Sequence, residues 1–246
     1  MALREELEEQ GNWLFKRRSY LPLVLFAPVF VAIATAGPKA QSPLVEGAWE
    51  LFCVLVSLSG LVVRAVAVGH APWGTSGRNT AGQLASCLNC TGLYATVRHP
   101  LYLGNYLNWL GVALFPAIWW VPVFVTLAFW IYYERIMFAE EEFLRRKFGA
   151  QYEEWAERTP AFLPDLSRWC RAALPFCWRT VLKREYSSMF AIFASFAACE
   201  IVERMANTGV PSLGPWWAVT FGAATLVYVS LLAMKKWTKV LTVRGR

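Results

Sequence analysis

Runs of roughly 20 mainly apolar residues, separated by belts dense in Lys, Arg and Glu, constrain this chain more than any motif in it. A helix needs about that length to cross some 30 Å of hydrocarbon at about 1.5 Å per residue. Residues 20–37 qualify, with Pro22 near the start and Pro28 as an expected kink. Residues 48–68 follow, carrying Arg64 in their last turns. Residues 102–114 are shorter; a turn at Phe115-Pro116 and Trp119-Trp120 returns the chain through 122–138, so this pair reads as a re-entrant-like hairpin. Residues 186–205 and 216–234 form a last pair around a Gly/Pro-rich turn. The pattern predicts an all-α polytopic membrane protein with about six transmembrane helices.

Composition agrees. Hydrophobic residues make up 57% of the chain and charged ones 17%, against roughly 25% charged in ordinary soluble domains. A disordered chain, a basic nucleic-acid-binding domain and a disulfide-stapled secreted module are excluded. Outside the apolar runs, every Lys and Arg except Lys39 falls in the N-terminal segment, the loop before residue 100, the stretch 135–184 or the tail after Met234. Such residues collect on the cytoplasmic side, so both termini are expected in the cytoplasm, with the chain in the inner (cytoplasmic) membrane. The formal net charge of +7 then reflects topology and affinity for anionic membrane lipids, with no nucleic-acid partner. No cleavable signal peptide is expected, because the first nineteen residues are rich in Glu and basic groups. Leu3, Leu7, Trp13 and Leu14 could lay this segment on the membrane surface.

The polar residues 74–100 lie between the second and third spans and are dense in turn formers. They lead into Thr91-Gly92-Leu93-Tyr94-Ala95-Thr96-Val97-Arg98-His99-Pro100-Leu101-Tyr102-Leu103-Gly104-Asn105. Pro100 suits the first turn of a helix, and exposed N–H groups beside Arg98 and His99 would make an anion-friendly corner. The plainer alternative is a positive-inside anchor capped by Pro. A second cluster, Glu140-Glu141-Glu142 through Tyr152, follows the fourth span. There Leu144, Phe148, Tyr152 and Trp155 recur at helical spacing, predicting a cytoplasmic amphipathic helix that continues from the membrane. Its plainer alternative is a solvated helix held by Glu141–Arg145 and Glu142–Arg146 pairs. The hairpin brings both clusters to one membrane face, setting carboxylates near arginine and backbone amides, as a zwitterionic or cationic cofactor requires.

These residues resemble a family. Thr91-Gly92-x-Tyr94-x-x-Val97-Arg98-His99-Pro100-x-Tyr102-x-Gly104, then Glu140-Glu141-x-x-Leu144-x-x-x-Phe148-Gly149-x-x-Tyr152, then Pro160 and Pro164, are similar to the isoprenylcysteine carboxyl methyltransferase superfamily. The likeness reaches back to Gly60-x-x-x-Arg64-Ala65 and covers roughly residues 48–164. Within the single integral membrane domain 1–246, the pair at 186–234 lies outside it. Residues 75–80, Leu88-Asn89 and 101–105 are most similar to bacterial enzymes that methylate the 1-phosphate of Kdo-lipid A. Cys90 and Trp155 replace a commoner Thr and Tyr.

The resemblance implies an integral membrane enzyme that uses S-adenosylmethionine (SAM), with a lipophilic membrane substrate. The cofactor shell would be Arg98, His99, Pro100, Tyr102, Gly104, Glu140, Glu141 and Tyr152, with Tyr94 a weaker member. Glu141, Arg98 and Arg146 are the candidate catalytic groups; Arg64, Arg78 and Arg145 are candidates for steering an anionic acceptor. A phosphate or carboxylate acceptor is already ionised at neutral pH, which leaves positioning, dehydration and charge balance to the protein. Prenylcysteine carboxylate is the second acceptor and a phospholipid amine the third. A nicotinamide-dependent sterol-type reductase and a non-enzymatic transporter or lipid scaffold are alternatives of other classes. Cys87-x-x-Cys90 has metal spacing but no second pair or His cluster, so no metal site is expected. His70 reads as an interfacial polar residue, and Arg204 as an ion-pair partner of Glu200 or Glu203 or as a substrate contact.

Overall fold

The computed structural model describes residues 2–37, 42–72, 74–75, 82–243 and 245. Its regular elements are helices: α1 (Leu3–Arg17), α2 (Phe26–Ala36), α3 (Pro43–His70), α4 (Pro100–Leu114), α5 (Trp120–Phe148), α6 (Ala150–Arg158), α7 (Trp178–Thr208) and α8 (Pro215–Trp237), with short 3-10 turns between them. Pro43, Pro100 and Pro215 open α3, α4 and α8, where the N–H that proline lacks would have no partner inside the helix. Pro28 falls in the first turn of α2 for the same reason, so the expected kink is instead a helix start, preceded by the 3-10 turn Leu21–Leu25.

The fold is all-helical as expected, but the count of spans changes. Among the described residues, three helices, α3, α5 and α8, are long and apolar enough to cross a membrane; α1 with Leu21–Ala36, bent by 85°, makes a fourth if the pair is one span. α4 has 15 residues, about 22 Å of helix against some 30 Å of hydrocarbon. α7 is longer but carries Glu185, Glu200, Glu203 and Arg204.

Small residues draw α3 and α4 together. A Cβ at Gly104 would run into the Gly60 carbonyl and the stem of Arg64, and one at Gly111 into the Cys53 carbonyl. Ser57 Oγ donates to the Asn108 carbonyl at 2.9 Å across the same seam. Close backbone approach of this kind is what membrane helices use in place of the hydrophobic effect. One buried cluster then joins α2, α3, α4, α5, α7 and α8 through Val29, Cys53, Val112, Phe115, Val125, Phe196 and Trp217. A second joins α1, α4 and α5 through Phe15, Tyr102, Phe129, Tyr133 and Ile136.

α1 lies along α5. Gly11 sits against the Arg135 carbonyl, Tyr132 Oη donates to Leu14 O at 3.2 Å, and Arg135 Nε to Gln10 Oε1 at 2.8 Å. The expected apolar face of Leu3, Leu7, Trp13 and Leu14 is therefore not the one that organises this helix; Gly11 and Phe15 are its buried residues. The single amphipathic helix expected through Tyr152 is two. α5 runs unbroken to Phe148, Gly149 takes φ +53 and ψ −130, and α6 sets off anew. Beyond α6 the chain straps back: Arg98 N–H donates to Pro160 O at 2.9 Å, His99 N–H to Ala161 O at 3.2 Å, and Asp165 N–H to Thr96 O at 2.9 Å.

Candidate active site

The Arg-His-Pro segment and the end of α5 meet. Arg98 Nη1 lies 3.0 Å from Glu141 Oε2, and His99 Nε2 lies 2.9 Å from Glu141 Oε1. Each carboxylate oxygen therefore accepts from one donor, and the second contact puts a proton on Nε2 of His99. Nδ1 of the same ring is 3.8 Å from Glu140 Oε2, and the ring stacks on Tyr102 with centroids 5.6 Å apart. Pro100 starts α4, so the strap and the helix start together leave Arg98 and His99 little freedom. The strap takes the N–H groups of Arg98 and His99 themselves, which donate to Pro160 and Ala161.

Tyr152 is buried behind this pair. Its hydroxyl lies beside Glu141 and Arg98. Burial, reinforced by the adjacent Glu141 carboxylate, holds the Tyr152 phenol well above its ordinary pKa, so it stays protonated.

A cavity of about 510 Å³ opens in front of Arg98 and His99, inside the roughly 300–1,000 Å³ range of small-molecule sites. Of the expected cofactor shell, Tyr94, Arg98, His99, Pro100, Tyr102 and Glu140 line it. Glu141, Gly104 and Tyr152 do not: Glu141 stands behind the two residues it fixes, Gly104 is in the α3–α4 seam, and Tyr152 is in the packing under α6.

The expected acceptor-steering cations separate. Arg64 lines the cavity, but its Nε and Nη2 donate to both oxygens of the buried Glu185 at 2.8 and 2.9 Å, and its Nη1 to Asn105 Oδ1 at 2.5 Å. Arg145 and Arg146 lie off the cavity. Arg145 pairs with Glu142 at 2.6 Å and Arg146 with Glu8 at 2.5 Å, while Arg4 reaches Glu142 at 2.5 Å. The Arg4 and Arg146 contacts lace α1 to α5, and with the Arg145–Glu142 pair inside α5 they replace the expected Glu141–Arg145 and Glu142–Arg146 pairs. Arg78 lies outside the described residues. Arg204 pairs with Glu200 on α7, His70 Nδ1 meets the Leu174 carbonyl at 2.8 Å, and no group of three or more His, Cys, Asp or Glu placed to hold a metal occurs among the described residues.

Sequence patterning passes over Arg184, Glu185, Ser187 and Ser188, which also line the cavity. They belong to α7, outside the stretch that carries the family likeness. The available signal was the run Lys183-Arg184-Glu185 at the edge of an apolar segment, indistinguishable in one sequence from a positive-inside flank.

The sequence profile of the phospholipid methyltransferase family matches residues 50–151, a span that contains both halves of the Arg98–Glu141 contact. The chain is 33% identical over 156 residues to the nickel-cobalt-cadmium resistance protein NccN of Alcaligenes xylosoxydans xylosoxydans, covering 63% of this chain and 68% of that one. It is 34% identical over 122 residues to the cobalt-zinc-cadmium resistance protein CzcN of Cupriavidus metallidurans, covering 50% and 54%. It is 30% identical over 73 residues to a protein-S-isoprenylcysteine O-methyltransferase of Schizosaccharomyces pombe, covering 30% and 31%. The chain thus spans about half the length of CzcN and under a third of the S. pombe protein. No solved structure matches.

Proposed function

The chain belongs to the phospholipid methyltransferase family and is a membrane methyltransferase, and from that premise we propose that it uses SAM to methylate an anionic headgroup on a lipophilic acceptor. One observation carries the reading: Arg98, clamped by Glu141, faces a cavity whose charged lining is Arg18, Arg64, Arg98 and Arg184 against Glu140 and Glu185. Such a lining favours an acceptor that arrives with negative charge over an ammonium headgroup.

The residues suit the donor. Arg98 lines the cavity, and its guanidinium is the group that would take the donor's carboxylate. Glu140 offers a carboxylate to positive charge, and Tyr94, Tyr102 and Trp155 add aromatic walls. When bound, SAM supplies an electrophilic methyl on a sulfonium. An acceptor oxygen held by the cavity's arginines would take that methyl, the C–S bonding pair staying with sulfur. An ionised oxygen needs no base, so the protein's part is to bind, orient and exclude water. Glu141 acts through Arg98 and His99 as a positioning residue. In this reading Arg145 and Arg146 are structural, Arg146 holding α1 on α5 and Arg145 pairing with Glu142 and Glu153.

Among anionic acceptors, a lipid phosphate of the lipid A type is the first expectation, from the motif around residues 75–105. Prenylcysteine carboxylate is the second, favoured by the likeness to the S. pombe O-methyltransferase. The charged end of the bundle, with both termini, would face the cytoplasm.

Isothermal titration of purified protein in nanodiscs with SAM tests the proposal. Saturable binding is expected, weakened about tenfold or more by Arg98→Gln. Folded protein that takes up no SAM ends the proposal. Mass spectra of lipid extracts from cells with and without the protein would then identify the acceptor as the species that gains one CH2 unit.

A further inference from the structure

Helix α7 lies outside the stretch of family likeness, yet it builds one wall of the cavity. Arg184, Ser187, Ser188 and Ala191 all line it, at spacings of three, four and seven residues that put them on one face of the helix. Along about 10 Å of axis this face passes from guanidinium to hydroxyls to methyl. Leu23 and Trp109 contribute further apolar lining. A wall graded in this way matches an amphiphile lying along it, its headgroup at Arg184 and its chain toward Ala191.

The face is held in place by an ion pair that also lines the cavity. Both oxygens of Glu185 accept from Arg64 of α3, at 2.8 and 2.9 Å, with side-chain exposures of 12% for Arg64 and 5% for Glu185. Cys177 N–H donates to the Gly69 carbonyl at 2.9 Å and pins the chain just before α7 to the end of the same helix. The rotation and depth of α7 against α3 are thus fixed beside Arg184.

We propose that Arg184, with Ser187 and Ser188, forms the subsite that takes the anionic headgroup of the lipophilic acceptor, so that α7 is part of the working site. The inference rests on the methyltransferase reading above, and its test separates the two. Purified full-length protein in phosphatidylcholine nanodiscs is titrated with dodecyl phosphate, with dodecyltrimethylammonium and, separately, with SAM, subtracting the heat of empty discs. Saturable binding of dodecyl phosphate is expected, tighter than that of the cation. Arg184→Gln should weaken it about tenfold or more, Arg184→Lys less, and Ser187→Ala with Ser188→Ala a few-fold. SAM affinity should stay within twofold in every variant, which also reports that the fold is intact. Wild-type protein that ignores dodecyl phosphate, or that prefers the cationic amphiphile, overturns the subsite. So does Arg184→Gln protein that keeps wild-type affinity for the phosphate. If dodecyl phosphate binds through Arg184 while SAM does not bind at all, the subsite stands and the methyltransferase reading of this cavity fails.

Discussion

At the scale of single residues, the site turns on one carboxylate with two donors. Glu141 accepts from Arg98 with one oxygen and from His99 with the other. Glu141→Gln preserves the shape but replaces one acceptor by an NH2 group, which must then face Arg98 or His99 donor to donor. Stability should fall by about 1–3 kcal/mol, the cost of leaving a buried donor unpaired. The larger effect should be on turnover, because a displacement of about 1 Å at a positioning group can cost about 100-fold. Methyl transfer from labelled SAM, measured beside thermal unfolding, checks both. A kcat/KM within threefold of wild type would show that Arg98 and His99 hold their places without Glu141. Much at this scale was legible in the sequence: the motif singles out Arg98, His99 and Glu141, and they are in contact. What the motif could not tell is that Glu141 stands behind the cavity while Glu140 lines it, since adjacent helical residues point about 100° apart and only packing decides which faces in.

At the scale of elements, backbone constraints position these side chains. Gly149 has φ +53 and ψ −130, a region open to glycine alone. Nothing lies within 4 Å of a Cβ built there, so Gly149→Ala should cost backbone strain and little else, about 1–3 kcal/mol. The loss should appear as a lower unfolding temperature in detergent; an unchanged one would mean that the α5–α6 break relaxes freely. The helices themselves were largely readable, because Pro43, Pro100 and Pro215 mark their starts and Gly209 an end. The break at Gly149 was not. Leu144, Phe148, Tyr152 and Trp155 keep helical spacing on both sides of it, and periodicity is blind to one residue that redirects the axis. The destination of α1 was hidden in the same way. Its weak apolar pattern suggested the membrane surface, whereas a glycine at position 11, a hydrogen bond from Arg135 and ion pairs to Glu142 and Arg146 bind it to α5.

At the scale of the whole molecule, a buried ion pair ties the last helices to the first. Removing either partner of Arg64–Glu185 strands a charge and should cost about 3–5 kcal/mol; replacing both with methionine should cost far less. The unfolding temperature of the Arg64→Met, Glu185→Met double variant is therefore expected above that of either single variant. Its methyl transfer should stay low, because α7 loses the contact that sets its register. Equal destabilisation by all three variants would mean that the pair adds nothing beyond packing. By itself the sequence determined the solvent this chain requires, its helical class, the family motif and the residues that motif brings to one end of the bundle. Those properties are written in hydropathy, proline placement and local spacing, which act over a turn or two of helix. Tertiary structure alone decided which arginines serve the cavity, setting Arg146 on Glu8 of α1, Arg145 on Glu142, Arg64 on Glu185, and Arg184 on the cavity wall. A charge finds its partner across more than 100 residues of chain here, as Arg64 does in Glu185 at a separation of 121, and no local pattern encodes a contact made only when distant helices pack.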